Sequence, residues 1–181
     1  MTRAADPAGD PRSEVLFIGG RAGSGKTSVA SALHELLSGR QVKHAVIEGD
    51  YLDMAYPPPW EHGLAETNLR ALWANYRALG HRRLIYTNVM SVLETEKLAA
   101  AMGDSPRVIG VLLDVPDDVM RQRLQQRESK ESLARHLERN LPRRAALDRD
   151  APAWVHRIAT DGRSLDGLAA QLARLTGWVA D

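Results

Sequence analysis

The chain has 181 residues, 44% hydrophobic and 26% charged, enough for one domain with a proper core. Its formal net charge of +1 gives no strong field toward nucleic acid or a membrane surface. With no cysteine, disulfides, thiolate metal sites and a cysteine nucleophile are excluded, and the composition fits a reducing cytoplasm.

Residues 1–12 carry Pro, Gly, Asp and Ala without an apolar stretch and read as a disordered tail. A single domain is expected over 13–181, and no apolar run approaches the length of a membrane span. Strands are expected at Glu14–Gly19, His44–Glu48, Arg83–Thr87, Arg107–Leu113 and Trp154–Thr160. Several are continuous apolar runs, as in strands covered on both faces. Helical patterns lie between them. Lys26–Leu37 should stop at Ser38-Gly39. Gly63–Leu79 sets Leu64, Leu69, Leu72, Trp73, Tyr76 and Leu79 on one stripe. Ser91–Met102 opens with a capping box of Ser91 and Glu94. Pro116–Glu128 opens on proline, and Ser164–Leu175 on serine. Alternating strands and helices imply parallel crossovers and a helix-covered sheet.

Between the first strand and first helix lies Gly20-Arg21-Ala22-Gly23-Ser24-Gly25-Lys26-Thr27, which satisfies G-x-x-x-x-G-K-[ST] at every specified position. Glycines let the backbone turn its N–H groups toward an anion, and the following helix N-terminus, from Ser28 on, completes the nest. The motif assigns Lys26 to the β- and γ-phosphates and the Thr27 hydroxyl to Mg²⁺. The six histidines lack the close spacing that zinc prefers.

From about Glu14 to Leu175 the chain resembles the small P-loop kinases: nucleoside monophosphate, shikimate, gluconate and adenylylsulfate kinases, and chloramphenicol phosphotransferase. The resemblance rests on Gly20–Thr27, on Glu48-Gly49-Asp50, on Leu113-Asp114-Val115-Pro116-Asp117-Asp118 followed by Arg123 and Arg127, and on Arg157 to Ser164. It implies a three-layer α/β/α fold with a five-stranded parallel sheet in order 2-3-1-4-5 and a helical lid over about 128–150. It also implies ATP and Mg²⁺ as cofactors and a small-molecule acceptor, with no nucleic-acid or membrane partner. ATP would lie against Gly20, Ala22, Gly23, Ser24, Gly25, Lys26, Thr27 and Ser28, with Arg123 and Arg127 at the adenine or phosphates. The segment Thr160–Arg163, with Asp161, Gly162 and Arg163, would wall the adenine pocket. Lys26, Asp50 and Arg127 would be catalytic, Asp50 meeting the acceptor hydroxyl just past the second strand.

The loop beyond Asp50 offers Asp53, Tyr56 and Trp60 to an acceptor, and Tyr51 with them, stiffened by Pro57, Pro58 and Pro59. Many such proteins end their third strand with a Mg²⁺-holding acid. Here that segment is Leu84-Ile85-Tyr86-Thr87-Asn88-Val89. Asn88 then orients substrate by neutral hydrogen bonds, and Mg²⁺ falls to Thr27, the phosphates, water and Asp50. The missing acid weighs against a motor-type or AAA-type ATPase. Arg135, Arg139, Arg143 and Arg144 lie in the expected lid, one or two of them placed to close over ATP. The reading is an ATP-dependent phosphotransferase. The alternatives are a nucleotide-binding module without transfer chemistry, and an NTPase acting on a macromolecular partner.

Overall fold

The computed structural model describes residues 12–127 and 130–179. Five strands form one parallel sheet: β1 (Glu14–Gly19), β2 (Ala45–Glu48), β3 (Arg83–Thr87), β4 (Arg107–Asp114) and β5 (His156–Ala159), in the spatial order β2-β3-β1-β4-β5. The expected sheet and strand order are therefore present. Six α-helices alternate with them: α1 (Lys26–Gly39), α2 (Leu64–Ala78), α3 (Thr95–Met102), α4 (Asp117–Arg127), α5 (Lys130–Asp150) and α6 (Leu165–Thr176).

Strand alternation divides the core between the two faces of the sheet. Leu16, Ile18, Ile85, Val111 and Leu113 point to one face, where α1 contributes Val29, Leu33 and Leu37 and α6 contributes Leu168, Ala169 and Leu172. Val15, Phe17, Leu84 and Tyr86 point to the other, against Leu69 and Trp73 of α2 and Leu98 of α3. The central strand β1 has no exposed apolar residue from Val15 to Ile18, so its run of hydrophobic residues reflects burial on both faces.

The differences from the sequence reading lie at element ends, each with a local cause. Gly39 stays helical at the end of α1, and the left-handed position is Gln41, with φ 57°. β2 starts one residue late because His44 turns its ring to the Val42 carbonyl, Nδ1 to O 2.7 Å. Along α2, Leu69 and Trp73 are buried, but Leu72 and Leu79 are exposed, so the apolar stripe is narrower than expected. The Ser91–Glu94 capping box does not form. The Ser91 hydroxyl instead donates to the Asn88 carbonyl at 3.2 Å, residues Ser91–Leu93 make a 3-10 turn, and α3 begins at Thr95. The last strand is shorter than Trp154–Thr160, since Pro152 and Val155 close a turn and Trp154 packs over Gly110. At α6 the expectation holds: Ser164 accepts from the Gly167 N–H at 3.1 Å. Pro116 precedes α4 and its carbonyl accepts the first bond, from Met120 N–H. Of the expected tail, residues 1–11 lie outside the described residues, as do Glu128 and Ser129 at the start of the expected lid.

Candidate active site

Parallel strands bring their carboxyl ends to one edge, and ligands collect there. At that edge the segment Gly20–Gly25 joins β1 to α1. Gly20 has φ 143°, and a side chain there would come within 2.7 Å of the Leu113 carbonyl and 2.6 Å of Ser24 Oγ. Gly25, at φ 96°, is the residue from which α1 starts. The loop can therefore close tightly only with glycine at these points. Neighbouring backbone ties it down: Gly20 N–H donates to the Val89 carbonyl and Ser24 N–H to Arg21, both at 3.1 Å.

Lys26, buried at the first turn of α1, lays its ammonium across the loop, donating to the carbonyls of Gly20 at 2.9 Å and Arg21 at 3.3 Å. Thr27 and Ser28 are exposed at the mouth of the helix. Thr27 Oγ1 donates to Glu48 Oε2 at 2.9 Å, which joins α1 to the last residue of β2. The second carboxylate oxygen, Glu48 Oε1, is buried without a hydrogen-bond partner. A hydroxyl and a carboxylate with a spare oxygen suit a hard cation. Mg²⁺ commonly takes only one or two carboxylates and fills its shell with phosphates and water. The pair Thr27–Glu48 therefore fits it, although no group of three or more His, Asp or Glu able to hold a metal exists among the described residues. Glu48 offers the carboxylate that β3 lacks. Replacing it, Glu48→Gln, should raise the half-saturating Mg²⁺ concentration for any nucleotide turnover by about tenfold, in line with losses at metal-orienting residues. An unaltered Mg²⁺ titration would show that Glu48 faces no metal.

Asp50 follows Glu48 within a 3-10 turn, Gly49–Tyr51. Its Oδ1 accepts from Asn88 Nδ2 at 2.7 Å, and Asn88 Oδ1 in turn accepts from the Met90 N–H at 2.9 Å. Asn88 thus stands at the end of β3 as an orienting amide. Asp50 is exposed at its surface, yet partial desolvation of its carboxyl pushes it above the usual range, and Glu48 and Asp53 add to this, while Lys26 and Arg143 pull it back. Asp53 is half-buried, and Tyr51 and Tyr56 are exposed at 70% and 97%. The side chain of Trp60 lies outside the described residues.

The arginines divide. Arg123 is fixed, donating to the Gly23 carbonyl at 3.3 Å and to Thr160 Oγ1 at 3.1 Å and its carbonyl at 3.2 Å. It braces the loop against the end of β5. Thr160 Oγ1 itself reaches the Ser24 carbonyl at 3.1 Å. The sequence reading set Thr160 in the expected adenine wall but did not foresee its bonds to the loop, which come from its place one residue beyond β5. The side chains of Arg127, Arg135 and Arg139 lie outside the described residues, Arg127 closing α4 by its backbone. Arg21 and Arg144 are both bound by Asp117, at 2.6 Å each, and Arg21 also donates to the Val115 carbonyl at 2.8 Å. Asn140 of α5, 1% exposed, donates to the Ala22 carbonyl at 3.4 Å. The expected lid therefore contains a helix, α5, keyed to the loop at two points. Beyond β5, Asp161, Gly162 and Arg163 are exposed, and Arg163 is held by Gln171 Oε1 at 2.7 Å. Asp114 caps its own strand end, its Oδ1 accepting from the Val115 N–H at 2.9 Å, away from Thr27.

Residues 16–144 match the AAA domain family. β3 ends at Thr87 without an acid, as read from the sequence. No curated protein matches the sequence. Among solved structures, the chain is similar to the tunicamycin resistance protein of Deinococcus radiodurans, at 24% identity and TM-score 0.63, covering 92% of this chain and 96% of that one. It is also similar to the APS kinase of Mycobacterium tuberculosis in complex with AMPPNP and APS, at 23% identity and TM-score 0.58, covering 92% and 98%. A gluconokinase of Sinorhizobium meliloti aligns at 22% identity and TM-score 0.55, covering 91% and 94%. The chain belongs to the AAA domain family and has the fold of the small P-loop kinases.

Proposed function

We propose that this protein is an ATP-dependent phosphotransferase acting on a hydroxyl of a small molecule. The observation that carries the proposal is the convergence of three chemically distinct groups on one edge of the sheet. They are the Lys26 ammonium, the Thr27–Glu48 pair and the Asp50 carboxylate aligned by Asn88. Lys26 and the loop N–H groups would counter charge spreading over the phosphate oxygens. Mg²⁺, held by Thr27 and Glu48, would supply further charge neutralisation. Asp50 holds the acceptor hydroxyl for attack on the γ-phosphorus and takes its proton. The acceptor oxygen forms the new P–O bond as the bond to the β-phosphate oxygen breaks and ADP leaves. Arg143, whose charge Asp50 feels, stands on α5.

The test is ADP release from Mg-ATP across sugars, sugar acids, nucleosides, nucleotides and antibiotic alcohols, with Asp50→Asn run alongside. Stimulation by one acceptor class, lost in the variant, is the expected result. Tight nucleotide binding with no stimulation by any class would favour a binding module instead. Stimulation by nucleic acid or a protein would favour an NTPase.

A further inference from the structure

The bond between Thr27 and Glu48 has a counterpart farther along the same two elements. His34 follows Thr27 by seven positions, two turns along the same face of α1. His44 precedes Glu48 by four positions, immediately before β2. Helix and strand are thus joined by two rungs. Thr27–Glu48 stands at the phosphate-loop edge of the sheet, and His34–His44 stands away from it.

At the second rung His34 Nδ1 and His44 Nε2 are 2.9 Å apart, with ring centroids at 5.0 Å and ring planes at 63°. The other nitrogen of His44, Nδ1, meets the Val42 carbonyl at 2.7 Å. A carbonyl only accepts, so Nδ1 carries the proton and Nε2 offers its lone pair to His34. His34 Nδ1–H then donates to it. A backbone carbonyl that fixes one imidazole nitrogen, leaving the other to face outward, is the support that metal-ligating histidines commonly have.

The spacing fits a metal as well. Metal–nitrogen bonds of about 2.0–2.1 Å set two ligands about 2.9 Å apart across a square-planar right angle and about 3.3 Å apart in a tetrahedron. His34 is exposed, so its ring is free to turn until both lone pairs converge. A cavity of about 360 Å³ opens on both rings, lined also by Ser31 and Tyr76, and gives water room to complete the shell. Burial lowers the pKa of His44 against the opposing bond to Val42, which keeps the ring in its neutral, ligating form at pH 7. Arg83, whose charge reaches His44, is paired with Glu14 at 3.7 Å.

We propose that His34 and His44 form a cation site separate from the phosphate loop, which takes a divalent late transition-metal ion such as Cu²⁺, Ni²⁺ or Zn²⁺ and clips α1 to β2. Binding exchanges the ring-to-ring hydrogen bond for two metal–nitrogen bonds. The proton on His34 Nδ1 moves to its Nε2, both facing lone pairs go to the metal, and water fills the remaining positions. No phosphoryl transfer is involved, so the site stands or falls apart from the phosphotransferase reading. The test titrates the metal-free full chain with Cu²⁺, Ni²⁺ and Zn²⁺ by calorimetry, in excess Mg²⁺ to fill oxygen sites. One ion per chain is expected, with Cu²⁺ tightest. Electron paramagnetic resonance at one equivalent of Cu²⁺ should show splitting from two imidazole nitrogens. His34→Ala and His44→Ala should each weaken binding at least about tenfold, while His156→Ala, on the opposite edge strand β5, should leave it unchanged. If His44→Ala does not fold, His34→Ala, which trims an exposed side chain, and the spectrum of the parent protein decide the matter. No binding, splitting from fewer than two nitrogens, or binding unmoved by His34→Ala overturns the proposal.

Discussion

Replacing Lys26 with alanine lowers kcat/KM for Mg-ATP by about 10²–10³-fold, the scale of losing one preorganised charge donor in an active site. The geometry explains why the effect is large. The ammonium is buried, and its carbonyl partners, Gly20 and Arg21, are parts of the loop itself. Removing it takes a cation from the phosphate position and also leaves two loop carbonyls without their donor. Nucleotide affinity should therefore fall together with turnover, while the urea midpoint moves little, because the hydrophobic core lies elsewhere. A fluorescent-nucleotide titration beside a denaturation curve separates the two. Unchanged affinity and turnover would remove Gly20–Thr27 from the nucleotide site.

The second large effect is at Asp50. Asp50→Asn keeps the side-chain shape and the contact with Asn88 within reach but cannot take a proton. Acceptor phosphorylation should fall by about 10²–10⁴-fold, the range for a lost general base. Nucleotide affinity should stay within a few-fold, since the loop contacts are untouched. The pH profile gives an independent signature. A base works only when ionised, and desolvation raises the Asp50 carboxyl above its ordinary value of about 3.9. In the parent protein kcat/KM should thus decline, as pH falls, earlier than an ordinary carboxylate would cause. That acid limb should vanish in Asp50→Asn. Wild-type transfer by the variant, or an unshifted acid limb, would show that Asp50 is not the base.

Much of the scaffold was legible because its signals are local. Strand-like segments marked all five strands, several of them apolar runs, and Ser164 announced the start of α6 through chemistry within one turn. The loop spacing located Lys26 and Thr27, and the strand-end rule located Asp50. What escaped depends on which strands and helices become neighbours. Glu48 carries no sign in sequence that its carboxylate meets Thr27, 21 positions earlier. That contact forms across the sheet edge, since β3 lies between β2 and β1 and α1 starts just past β1. Thr160 is likewise an ordinary strand-end residue until β5 carries it to Ser24 and Arg123, 136 and 37 positions away. The failed capping box at Ser91 has the same origin. A local rule offered Glu94 a partner, but the turn from β3 gave the Ser91 hydroxyl the Asn88 carbonyl first. Leu72 and Leu79 fit the helical period, yet both stay exposed while Leu69 and Trp73 fill the core.

Asp117 holds Arg21 of the loop with one oxygen and Arg144 of α5 with the other. Such a shared anchor makes the two ends reciprocal. A ligand that changed how Arg21 is held would act on Arg144 through the same carboxylate, and any coupling between the two would run equally in both directions. If nucleotide binds at the loop, its occupancy would be sensed at α5 through this one carboxylate.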